Sequence, residues 1–328
     1  MTFKLFAIRI SLLILCIMKS YTLISQDKKA IELINAGIQK MGGEDFLNSI
    51  TSLQTQGKHI YFLIDQSIRP TGPFYTTINN YKSFKLPQKN KLAYWNFYNQ
   101  TNMSVKFIVD GAAFGMQRGK DVSYMPYGSD LDEELYLAPE KVLLLAKSSN
   151  PEFLKDTVIQ DLKLSVITFK WRNHPVKLFF NCHSNYLTCV EITRHYKDNT
   201  PFVLGDVKLM HRYSFWKTVG KQLHYPAQKD VYVEGQHFQS FSIDSIKINM
   251  SFSEDTLSIP DSVKIKLAKI DGKMDMFNNV PSLVSKEIAP GVFFINGKYT
   301  SVGSYNSWFV KTSTGIIVIE TPISSAYS

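Results

Sequence analysis

The sequence predicts a mainly β protein of the α+β kind, built on a curved antiparallel sheet with helices covering its concave face. Three observations lead there. Phe and Tyr number 22 and 17 among 328 residues, and aromatic rings suit the pleated, half-buried face of a strand. Most of the chain reads as short strand-like runs between turn signals such as Asp110-Gly111, Arg118-Gly119-Lys120, Arg172-Asn173-His174-Pro175 and Glu234-Gly235-Gln236. Consecutive strands with such local connections pair antiparallel, and the apolar face they create needs a cover. A content of 44% hydrophobic and 20% charged residues is that of a globular chain, which sets disorder aside.

The first element is a leader over residues 1–25. Lys4 and Arg9 precede an apolar run at 10–18, and small or polar residues follow up to Ser25. The run is too short to span a bilayer, which takes about 20 apolar residues, and reads as the core of a secretory signal cleaved near Ser25. The other reading is an uncleaved anchor capped by Arg9 and Lys19. Leu13-Ile14-Leu15-Cys16 lacks the small residues expected before a lipidated cysteine. The mature chain is therefore expected outside the cytoplasm, periplasmic or extracellular, with no membrane span once the signal is removed.

After the leader, Ala30, Leu33, Ile34, Ile38 and Met41 recur at helical spacing, and Gly42-Gly43 ends that helix. A shorter helical piece is expected at 44–49. Strands are expected at 52–64, 75–86, 91–97, 104–109 and 112–118, and again at 165–171, 176–181, 187–196, 207–216, 224–233 and 238–250. Between the two groups lies a helix at 139–147, with Pro139 in its first turn and Val142, Leu143 and Ala146 on one face. The two main helices are the covers available for the sheet.

The formal charge is +9, but Lys4, Arg9 and Lys19 belong to the leader and the other cations are spread among acids. No basic stripe tracks a phosphate backbone, so no nucleic-acid partner is expected. Cys182 and Cys189 remain after signal removal. If Asn185-Tyr186 form the centre of a hairpin turn, the two cysteines face each other and can form a disulfide in an oxidising compartment; otherwise they are small apolar residues. Their spacing does not suggest zinc.

His59, His174, His183, His195, His211, His224 and His237 show no metal-pairing spacing and each reads as a surface or turn residue. Asp130, Asp132, Glu133 and Glu134 precede the Pro139 helix, where acids suit the helix dipole, and read as a solvated flank. Tyr94, Trp95, Phe97 and Tyr98 either pack in the core or line an apolar cavity. No catalytic residue, no metal ligand and no cofactor is assigned within this chain.

Two stretches resemble known families. Residues 36–43 (AGIQKMGG), followed by Leu47, Ile50, Leu53 and Gly57, are similar to the start of LolA-like domains, the half-barrel family of periplasmic lipoprotein carriers. So are 177–181, 190–192, 204–207, 213–216, 225–226 and 243–249, giving a LolA-like domain over 26–260. That resemblance implies a concave sheet able to shelter an apolar ligand, such as a lipid or a lipoprotein acyl chain. A linker is expected at 261–284.

Residues 287–295, 305–312 and 315–322 resemble the opening of a metallo-β-lactamase-fold domain, so 285–328 is expected to hold the truncated first strands of an αββα body. Ile316–Ile319 is apolar at four consecutive positions, as a strand covered on both faces reads. Residues 323–327 begin what reads as a helix where the sequence stops. The chain is thus expected to be the N-terminal fragment of an exported metallo-hydrolase. The resemblance implies that the parent uses zinc-activated water, while this fragment lacks the ligands. The alternative is a periplasmic, non-enzymatic binding module for an apolar ligand.

Overall fold

The computed structural model describes residues 27–64, 72–99, 101, 103–124, 129–196, 205–264, 285–299 and 303–319. The leader at 1–25, most of the expected linker and the expected helix start at 323–327 lie outside the described residues.

Helix α1 (Lys28–Lys40) starts at Asp27, whose carboxylate accepts from the amides of Lys29 and Ala30. The same carboxylate accepts from the Phe153 amide at 2.9 Å, which ties the helix start to a strand edge. Ala30, Ile34 and Ile38 form its buried stripe. Gly42 and Gly43, at φ +122° and +94°, end it, and α2 (Glu44–Asn48) follows.

Six strands come next: β1 (Leu53–Leu63), β2 (Tyr75–Leu86), β3 (Lys91–Tyr98), β4 (Met103–Asp110), β5 (Ala113–Arg118) and β6 (Asp121–Tyr124). Helices α3 (Ser129–Tyr136) and α4 (Pro139–Lys147) separate them from β7 (Glu152–Ile159), β8 (Leu162–Trp171), β9 (His174–Asn181), β10 (Leu187–Tyr196), β11 (Gly205–Val219), β12 (Leu223–Val233) and β13 (Gln236–Ile248). All thirteen form one antiparallel sheet in the order β6-β5-β4-β3-β2-β1-β13-β12-β11-β10-β9-β8-β7. Two sequential meanders are therefore joined by one long-range pairing, β1 with β13. That seam bulges between Gln56 and Gly57. A Cβ at Gly57 would lie 1.9 Å from the Ser242 carbonyl oxygen, so only glycine lets the two backbones approach.

The fold is mainly β, a large curved sheet with few helices. One face carries α1 and α4, whose buried residues pack with Leu53, Ile167, Phe169, Leu178, Phe180, Val190 and Ile192. Burying a side chain such as Phe180 completely contributes roughly 2–3 kcal/mol. Smaller clusters cover the other face, one around Leu164, Val166, Phe179 and Cys189, another around Leu86, Ala93 and Leu257.

Three elements were not expected: β6, β7 and α3. The two strands are the sheet's edges. β7 carries Glu152, Lys155 and Asp156, charges that suit an edge and blur a strand pattern. Of the two readings open for the cysteines, the structure has both thiols free, Cys182 exposed and Cys189 buried. The turn begins at Cys182 itself, and a bulge between Leu187 and Cys189 sets Cys189 opposite Phe179.

A second sheet holds β14 (Ser285–Ala289), β15 (Val292–Tyr299), β16 (Gly303–Lys311) and β17 (Ile316–Ile319), paired antiparallel in that order. The rings of Phe294 and Trp308 meet at 4.7 Å across β15 and β16. β17 is the edge strand among the described residues, and its four side chains, which the sequence marks as needing cover on both faces, are 44–69% exposed.

Candidate functional site

The concave face beneath α3 and α4 collects most of the buried polar chemistry. Strand alternation fixes which residues reach it. On β1 these are Thr55 and His59, on β2 Tyr81, Ser83 and Lys85, and on β3 Tyr94. Across the seam, Phe241 of β13 pairs with His59 and with Lys229 of β12, and Lys229 pairs with Tyr213 of β11.

Aromatic rings form the wall. His59 stacks on Phe241 at 4.3 Å, Tyr81 on Tyr94 at 5.7 Å, and Tyr94 meets Phe107 at 6.2 Å. The Tyr94 hydroxyl lies 3.0 Å from His59 Nδ1. Burial, helped by the positive charge of Lys229 and only partly opposed by Glu134, pushes the His59 imidazolium pKa down to about 3, so this ring is neutral at ordinary pH.

Charged residues join the helices to this wall. Lys85 Nζ donates to Glu140 Oε1 at 3.1 Å and lies 3.2 Å from Glu134 Oε1. Lys229 donates to Glu134, and the Tyr225 hydroxyl donates to Glu140 Oε2 at 2.9 Å. Arg194 donates to Glu133 at 3.1 Å, and Arg172 donates to Asp132. Burial alone would raise the Glu134 carboxyl, but Lys229 and Lys85 outweigh it and hold the group below the usual carboxylate range. Burial likewise opposes the charge on Lys85, yet Glu134 and Glu140 keep its pKa above the ordinary lysine value. The phenols of Tyr94, Tyr213 and Tyr225 are pushed well up by burial, which leaves them as hydrogen-bonding groups and not as bases.

Several expectations are corrected here. Asp132, Glu133 and Glu134 are not a solvated flank. They lie within α3, and Asp132 and Glu133 are buried against Arg172 of the β8–β9 turn and Arg194 of β10. His59 and His211 are not surface residues, being 6% and 8% exposed on the concave face. The aromatic group divides between faces: Tyr94 joins the wall, Trp95 packs on Phe84 on the other side, and Phe97 is exposed.

Between wall and helices lies a cavity of about 20 Å³, lined by Ser83, Tyr94, His211, Tyr213, Lys229 and Phe241 among others. A single water needs roughly 10–15 Å³ on this measure, so the space suits a water or one hydroxyl group. Ser83 Oγ and His211 Nε2 are buried without a hydrogen-bond partner. His211 Nε2 stands 3.9 Å from Glu133 Oε2, beyond hydrogen-bond reach.

No protein-family model matches the sequence, and no curated protein does. Solved structures similar in layout include a LolA superfamily protein from Nitrosomonas europaea, at 9% identity and a TM-score of 0.48, covering 70% of this chain and 97% of that one. A domain from Vibrio parahaemolyticus, provisionally described as an outer-membrane lipoprotein-sorting protein, has 9% identity, a TM-score of 0.44 and the same coverage. A DUF1329 family protein from Desulfovibrio piger shows 6% identity, a TM-score of 0.44 and, again, 70% and 97% coverage.

Chemically, the site offers hydrogen bonds beside an aromatic surface. Among the described residues, no group of three or more His, Cys, Asp and Glu is placed to hold a metal, and no helix is long and apolar enough to cross a membrane. On the other face, Ser240 Oγ donates to Asp230 at 2.5 Å and lies 2.8 Å from His237 Nε2. His237 Nε2 faces both the hydroxyl and Asp230 Oδ1, the latter at 3.5 Å, whereas a nucleophile relay has the imidazole meet hydroxyl and acid through its two different nitrogens. The signal that could have exposed the concave site is the spacing of Ser83 and Lys85 at two residues, polar groups on the inward side of an otherwise strand-like run.

Proposed function

We propose that this chain is an exported, non-enzymatic binding module whose concave aromatic wall shelters an apolar ligand such as a lipid or lipoprotein acyl chain. The observation that carries this reading is that Tyr61, Tyr94 and Phe107 stay only half-buried on the face that also bears the helices. Apolar surface left against water favours a ligand that removes it, at roughly 25 cal/mol per Å² covered. In this reading residues 1–25 direct export, 26–260 form the binding domain, 261–284 link, and 285–328 open a separate domain.

The test is uptake of a pyrene-labelled, uncharged acyl ester by the full chain. Saturable uptake near one per chain is expected. Tyr61→Ala with Phe107→Ala should weaken it about tenfold, and Leu154→Ala, at an exposed edge-strand position, should not. Equal uptake by both variants contradicts the reading.

A second reading attaches to β14–β17, and the exposed apolar edge Ile316–Ile319 favours it. There the sheet opens a metallo-β-lactamase-like body of a longer protein, a hydrolase using zinc-activated water, whose ligands are not among these residues. Codons after Ser328 that encode a strand ending in a His- or Asp-rich motif support it. A stop codon there removes its basis.

A further inference from the structure

Resting on the binding reading, we infer that the ligand carries an uncharged, hydroxyl-bearing head group, one hydroxyl of which Ser83 and His211 receive inside the cavity. The two atoms without partners, Ser83 Oγ and His211 Nε2, belong to residues 2% and 8% exposed that line the same space. They stand on β2 and β11, brought to one cavity by the curvature of the sheet. An unpaired buried polar atom is a standing cost to the fold, so a pair of them around one water-sized space marks a place where a ligand atom completes the bonding. A hydroxyl both donates and accepts and therefore suits serine and either imidazole tautomer.

Charge decides the class of head group. The four acids that α3 and α4 place here are already matched: Asp132 by Arg172, Glu133 by Arg194, Glu134 by Lys85 and Lys229, and Glu140 by Lys85 and the Tyr225 hydroxyl. Among the described residues, a carboxylate or phosphate entering this space meets no lysine or arginine that is not already paired, and burying an unmatched charge is costly. A neutral diol meets no such penalty. The wall of Tyr94, Phe241 and Phe107 begins at the cavity and gives the acyl chain its path.

Competition against the pyrene ester on the full chain tests this, with monooleoylglycerol, oleate and methyl oleate as probes. Monooleoylglycerol is expected to displace the ester at about tenfold lower concentration than the other two. Ser83→Ala and His211→Phe are each expected to abolish that preference and raise the melting temperature, because each removes an unpaired atom, whereas Leu154→Ala, far from the cavity, keeps the preference. Residues with a merely structural role would lower the melting temperature. Oleate competing as well as monooleoylglycerol, or variants that keep the preference, overturns the head-group inference while leaving the binding reading in place. Failure of all three probes, and of the ester itself, to bind overturns both.

Discussion

His59 links single-residue chemistry to stability. Its folded pKa of about 3 lies below the ordinary 6.5, so between those values the unfolded chain binds the extra proton. The stabilisation is complete above about pH 6.5 and is lost as pH falls toward 3, at a slope approaching 1.4 kcal/mol per pH unit. Urea titrations should therefore show the midpoint falling from pH 6.5 to 4.5 in the wild-type chain, with a flatter profile in His59→Phe. An unchanged profile would show that His59 does not titrate with folding. Lys85 supplies a second case. It is 2% exposed and serves two carboxylates, so Lys85→Ala should cost about 3–5 kcal/mol by leaving Glu140 without its cation. Chemical denaturation measures this, and Lys85→Met paired with Glu140→Leu should recover much of the loss. His59 was not legible in the sequence, because a lone histidine in a strand-like run has no spacing signature; Lys85 left only its two-residue spacing from Ser83, which does not announce partners on α3 and α4, far away in the chain.

At the scale of elements, the long strands and the helices α1 and α4 were legible, since local periodicity and glycine or proline punctuation are written in neighbouring residues. The helix α3 was not. Its sequence, SDLDEELY, places acids where an amphipathic reading expects water, and only the cations Lys85, Lys229 and Arg194 of the sheet explain why those acids turn inward. The register around the cysteines was illegible for a related reason: a one-residue bulge shifts the hairpin, and nothing between Cys182 and Cys189 announces it. The seam of β1 with β13 carries its own prediction. Gly57→Ala must displace the Ser242 carbonyl or break the bulge, so it should destabilise the sheet by about 3 kcal/mol, read by thermal or urea unfolding. Thr55→Ala, on the same face without a backbone clash, should cost clearly less.

At the scale of the whole molecule, the two sheets differ in how they satisfy their apolar faces. The thirteen-stranded sheet carries helices on one side and small clusters on the other. The four-stranded sheet leaves Ile316, Ile317, Val318 and Ile319 exposed along an edge, the arrangement that invites association. Ile317→Lys with Ile319→Lys should therefore lower binding of a hydrophobic dye and suppress self-association in light scattering, without moving the main unfolding transition. The sequence showed that this tetrapeptide needs cover. It could not show what provides it, because burial is a property of partners and not of the segment.

In the binding reading, the concave aromatic wall, and no other surface, receives an apolar chain. Photolabelling the full chain with a monoacylglycerol bearing a diazirine on its acyl chain, followed by mapping of the adducts, tests it most directly. Adducts are predicted at inward positions of β1, β3, β4 and β13, around Tyr61, Tyr94, Phe107 and Phe241. Adducts confined to the opposite face or to β14–β17 would contradict it.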